Sequence, residues 1–133
     1  MKRSLTRAVL IVTVLLTTLA TYALLTDRVM PWNKQAAIDT ALAWGGLNPL
    51  PVQTVDVDVR TEGSMFSRKI ILGFACAPVE LAAWIARNKK LATAHYRLQN
   101  GTKTYEIRPG EAGAYGGTIV VKGQIVRIEM SWS

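Results

Sequence analysis

Two short turns constrain the topology of the carboxyl-terminal half of this chain more than any other feature. Asn100-Gly101 separates the run TAHYRLQ from TKTYEIRP, and Gly123-Gln124 separates TIVVK from QIVRIEMSW. All four runs alternate apolar and polar residues, the period of a strand with one buried and one wet face. Two residues join antiparallel strands readily but are far too few for the crossover that parallel neighbours need. The runs therefore pair as hairpins, and a doubly wound parallel sheet is excluded here. Alternation turns Ala94, Tyr96, Leu98, Tyr105, Ile107, Ile119, Val121, Val126, Ile128, Met130 and Trp132 inward.

Two further strands precede them. VQTVDVDVR sets Val55, Val57 and Val59 on one side and Thr54, Asp56, Asp58 and Arg60 on the other, while RKIILGFAC buries Ile70, Leu72, Phe74 and Cys76. Helical spacing appears twice. After Pro78, Leu81, Trp84 and Ile85 share a face, and Arg87, Lys89 and Lys90 crowd the end where the helix dipole favours cations. Earlier, Asn33 offers an N-cap, Ile38, Ala41 and Leu42 recur at helical spacing, and Gly45-Gly46 and Asn48-Pro49 stop the pattern. Trp44 beside that stripe predicts a helix docked on the domain rather than a stalk, although Trp32 and Trp44 also suit a headgroup region. The sum is an α+β domain, an antiparallel sheet with two helices on one face.

The amino terminus reads differently. Lys2, Arg3 and Arg7 precede an uncharged run of 18 residues, 8 to 25, closed by Asp27 and Arg28. That length lies just inside the range that spans a bilayer as a helix. The leading cations predict a cytoplasmic amino terminus and an exported carboxyl-terminal domain. Cleavage near Ala23, with secretion, is the competing expectation. The organisation expected is residues 1–28 as a basic tip and transmembrane or signal-anchor helix, and 29–133 as one exported domain. Removing Lys2, Arg3, Arg7 and Asp27 from the net charge of +7 leaves +5 on the remainder. Such a domain favours anionic protein or lipid partners, whereas no basic-aromatic motif for nucleic acid is visible.

Candidate chemistry is sparse. Cys76 is the only cysteine and His95 the only histidine. By alternation they point to opposite faces of the sheet, so a nucleophile and base do not converge, and Cys76 reads as a packing residue. Asp56 and Asp58 share a side, but no third ligand stands at metal spacing and Arg60 is the simpler partner. The loop PGEAGAYGGT leads into a strand, where phosphate-binding glycine motifs open a helix, so it reads as a connector. What remains is the wet sheet face, expected to show Asp56, Asp58, Arg60, His95, Arg97, Glu106, Arg108, Arg127 and Glu129. Opposite charges on facing strands ordinarily pair with each other. Arg60, His95, Arg97, Arg108 and Arg127 are the candidate binding residues, with no catalytic set, metal or cofactor implied.

The segments VELAAWIARNKKL, YEIRPGEAGAYGGTIVV and IVRIEMSWS together resemble small bacterial membrane-anchored proteins of uncharacterised function, in which a Trp-Ile helix precedes a strand-rich tail. The resemblance covers about the last half of the chain and implies no activity. Two classes of function stay open. One is a non-catalytic, membrane-anchored module that binds a protein, lipid or envelope component through its wet face or glycine-rich loop. The other is a small exported hydrolase or redox enzyme using His95 or Cys76.

Overall fold

All six alternating runs are strands, and they form one antiparallel sheet. The structure, a computed structural model, describes residues 2–25, 29, 31–63, 67–108 and 116–132, with the side chains of 2–5, 23–25 and 31 outside that set. The strands are β1 (Val55–Gly63), β2 (Arg68–Ala75), β3 (Tyr96–Gln99), β4 (Thr102–Ile107), β5 (Gly117–Lys122) and β6 (Ile125–Trp132). Their order is β1-β2-β6-β5-β4-β3. The helices are α1 (Lys2–Leu25), α2 (Lys34–Gly45), α3 (Pro78–Arg87) and α4 (Lys89–Ala92), with a 3-10 turn over Pro31–Asn33. Both two-residue turns fall where expected. Asn100 and Gly101 each take positive φ, as a type I′ turn asks.

One strand departs from simple alternation. Val55 pairs with Ala75 but Asp58 with Gly73, so β1 carries an extra residue, accommodated where Asp56 adopts φ +52°. This bulge shifts the alternation by one step. Val55 therefore lies on the wet side, Val57 is only partly buried, and Val59 is the valine of this strand that reaches the core. The expectation that all three share the inner face is corrected accordingly, and with it the shared side of Asp56 and Asp58. Trp132, also expected inward, stays largely accessible at the strand's end. Tyr96 and Leu98 lie on the helix side but exposed. There the Tyr96 ring meets Tyr105, centroids 5.4 Å apart, and Lys103 Nζ stands 5.0 Å over it.

The core lies between the sheet and its helices. α2 lies over β1, β2 and β6 and buries Ile38, Ala41 and Leu42. It is docked on the domain, as the Trp44 stripe predicts. Asn33 precedes it without a side-chain cap bond, and Gly46 ends it in the left-handed conformation, φ +59°. α3 contributes Leu81 and Trp84, the latter edge-on to Phe74 with centroids 5.5 Å apart. Trp84 Nε1 donates to the Pro49 carbonyl at 2.9 Å. Asn88, between α3 and α4, is the one buried polar residue among those described. Its Nδ2 donates to the Trp84 carbonyl at 2.8 Å, and its Oδ1 accepts the Asn48 N–H at 2.7 Å. The chain after α2 is thus clipped to α3.

α1 is a helix of 24 residues whose described side chains, 6 to 22, are all exposed. Among the described residues no helix is long and apolar enough to cross a membrane. The span expected over 8–25 runs past them, since the side chains of 23–25 lie outside the described set, as does the expected boundary at 26–28.

Candidate functional site

Register places the wet-face charges in two separate groups. On β2 and β6, Glu129 accepts from Lys69 Nζ at 2.7 Å and from Arg127 Nη2 at 2.6 Å. The bond from Lys69 holds the Glu129 carboxyl below its ordinary range, outweighing partial burial, with the Arg127 charge adding to it. Ile71, flanked in register by Arg60 and Glu129, is buried although it lies on this face. The group is therefore an ion-paired cover over an apolar residue, with two cations sharing one carboxylate.

The second group lies at the β3–β4 edge. His95, Arg97 and Arg108, with Thr93, Thr104 and Glu106, line an open depression of about 520 Å³. The hairpin turn at Asn100-Gly101 fixes Arg97 opposite Thr104, and extending that register sets His95 beside Glu106. Arg97 Nη2 lies 3.5 Å from Glu106 Oε1, and both side chains are mostly exposed. An exposed pair at that distance is weak. Arg108 has no ion pair among the described residues. The depression thus joins three basic side chains to one loosely held acid, which suits an anionic group of modest size.

Three of the five candidates come together here and two do not. Arg127 shares a row with Arg97 but stands three strands away, across Val120 and Thr104, or about 14 Å at ordinary strand spacing. Arg60 is on β1 at the opposite edge. Cys76 is buried, and burial first, then the charge of Glu80, raises its thiol above the ordinary range. Exposed His95 stands just before the far edge strand, so the two do not meet. Among the described residues no three potential ligands cluster for a metal ion. Most of the glycine-rich loop, residues 109–115, lies outside the described residues.

The sequence reading missed a second depression, about 560 Å³, between α2 and the segment Pro49–Val57, with Ile38, Leu42 and Leu50 in its lining. Lys34 at its rim donates to the Val57 carbonyl at 2.5 Å. The signal was present, since a lysine opening a helix runs against the helix dipole and calls for another reason to be there. No protein-family model, curated protein or solved structure matches this chain.

Proposed function

We propose that the protein is a membrane-anchored, non-catalytic module whose exported domain binds an anionic partner, a protein or lipid of the cell envelope, through the depression formed by His95, Arg97 and Arg108. The observation that carries binding is that depression, where three basic groups converge against the single weakly engaged Glu106. The alternative, a small hydrolase or redox enzyme using His95 or Cys76, lacks converging groups, because one is exposed and the other buried.

Anchoring through residues 8–25 is supported by the surface of α1. Val9, Leu10, Ile11, Val12, Val14, Leu15, Leu16 and Leu19 are all more than half exposed, so the apolar surface runs around the whole helix. A helix hydrophobic all round calls for an apolar surrounding. Each threonine of the run also turns its hydroxyl back into the helix. Thr13 donates to Val9, Thr17 to Thr13, Thr18 to Val14 and Thr21 to Thr17, at 2.7 to 3.0 Å. That satisfies the hydroxyls without water, as a lipid surrounding requires. The amino-terminal cations set the domain on the exported side.

Binding is tested on the full chain in zwitterionic micelles, titrated separately with an oligoglutamate peptide and with glycerol phosphate as a lipid-headgroup probe. Amide resonances of residues 93–97 and 104–108 should shift, the shifts should shrink with salt, and Arg97→Glu with Arg108→Glu should remove them. Absence of shifts there with both probes refutes the site. A reporter fused after Ser133 should read as exported, and a cytoplasmic signal would overturn the topology.

A further inference from the structure

We infer that the end of the domain carrying the hairpin turns rests on the bilayer surface, a reading that builds on the anchor proposed above. The register defines this end. Val55, Ala75, Ile125, Lys122, Thr102 and Gln99 form the last row of the sheet across β1-β2-β6-β5-β4-β3. The turns Asn100-Gly101 and Gly123-Gln124 lie just beyond it, and Cys76 N–H, two residues before α3, donates to the Gln124 carbonyl at 3.2 Å. The first turn of α3 and the segment leading into β1 therefore sit at the same end. So does the start of α2, because Lys34 reaches the Val57 carbonyl beside the bulge.

Exposed apolar residues collect there. Val52 is 99% exposed, Val79 79%, Trp32 71%, Ile125 60% and Val55 57%. They come from five separate segments: the turn before β1, the first turn of α3, the 3-10 turn, β6 and β1. Single exposed apolar residues are ordinary, but five from unrelated segments converging on one end call for a partner surface. Beyond α1, the other exposed large apolar residues among those described are Tyr96 and Leu98 on edge strand β3 and Trp132 at the opposite end. Tyr96 is partly served by Tyr105 and Lys103, as described above.

Chain connectivity names the occupant. Val29 packs against the core, and α1 ends at Leu25. Four residue steps reach at most about 14 Å. The end of the apolar helix is thus held close to the start of α2, beside Trp32 and the turn end. If α1 lies in a bilayer, this end meets the interface first, with tryptophan at the depth where aromatic residues prefer to sit.

The test uses the full chain in vesicles of phosphatidylcholine and phosphatidylglycerol. Single cysteines replace Val52, Val79 or Ile125, with Thr118 on the middle of the wet face as control, in a Cys76→Ala background. Should that background fail to fold, the same labels go into the native chain, whose buried thiol is shielded. Each cysteine carries a bimane label, and nitroxide is placed on shallow acyl positions of the lipid. Loss of fluorescence at positions 52, 79 and 125 but not at 118 is expected. If alkaline carbonate leaves the protein in the membrane pellet yet all four labels stay equally bright, docking is refuted while the anchor stands. If carbonate releases the protein, the anchor fails and docking with it.

Discussion

Replacing Asn88 by alanine should be among the most damaging single changes in this domain, although no candidate binding residue touches it. The substitution removes two hydrogen bonds, from Nδ2 to the Trp84 carbonyl and from the Asn48 N–H to Oδ1. At about 1 kcal/mol each, with about 1 kcal/mol more for leaving the part-buried Asn48 N–H unpaired, the loss is about 3 kcal/mol. For a domain of this size that corresponds to a fall in melting temperature of about 12–24 °C. Asn88→Asp separates the two bonds. It keeps an acceptor for Asn48 but loses the donor and sets a carboxyl against the Trp84 carbonyl, so its cost should grow as pH rises above the ordinary carboxylate range, about 4. Urea unfolding followed by tryptophan fluorescence gives the free energy. Hydrogen exchange should show residues 48–54 opening first in Asn88→Ala, because the clip holds the segment that carries Val52. A loss under about 1 kcal/mol with unchanged exchange would refute the reasoning.

Cys76→Ser should cost about 1–3 kcal/mol in urea unfolding by burying a hydroxyl without an assured partner, and the native thiol should react with a disulfide reagent only as fast as the domain opens. Rapid labelling of the folded protein would contradict this and revive the enzyme reading. Glu129 has a folded carboxyl held below its ordinary range, so its contribution is present above the unfolded value near 4.3 and is lost as pH falls through the lower folded value. Stability should thus decline on acidification below about pH 4, and Glu129→Gln should flatten that part of the profile. Arg127→Glu places a second carboxylate beside Glu129 and should cost about 1 kcal/mol, less in high salt, while leaving the oligoglutamate-induced shifts at 93–97 intact. Loss of those shifts in a folded Arg127→Glu protein would join the two charge groups into one site.

The strands and hairpins were legible because their signals are local: alternation, Asn100-Gly101, and glycine before Gln124. The bulge at Asp56 was not, because its cause is the pairing of Val55 with Ala75 across the strand, and VDVDV alternates flawlessly as written. The wet face was legible as a set of residues but not as two groups. Which charges meet depends on strand order: β6 lying beside β2 is what brings Lys69 to Glu129, which Arg127 already neighbours two residues away on β6, and β5 and β4 keep Arg127 from Arg97. Asn88 shows the same limit. Its partners Asn48 and Trp84 lie forty and four residues away, and only the fold makes it a buried clip.

The two proposals constrain each other. With the turn end on the bilayer and the strands upright, each row lifts a residue by about 3.4 Å. His95 lies four rows above the last row and Arg108 six, which places them about 14 Å and 20 Å from that surface. The field of anionic headgroups is largely screened beyond about 8 Å at physiological ionic strength. Lipids of the anchoring bilayer then neither touch the depression nor concentrate counter-charge in it. Glycerol phosphate should therefore shift residues 93–97 in micelles, where it diffuses freely, whereas phosphatidylglycerol added to the vesicles that hold the protein should not. Under this geometry the anionic group that His95, Arg97 and Arg108 meet arrives on a protein or on another surface facing the membrane, and β3, as the outermost strand, is the side it approaches from.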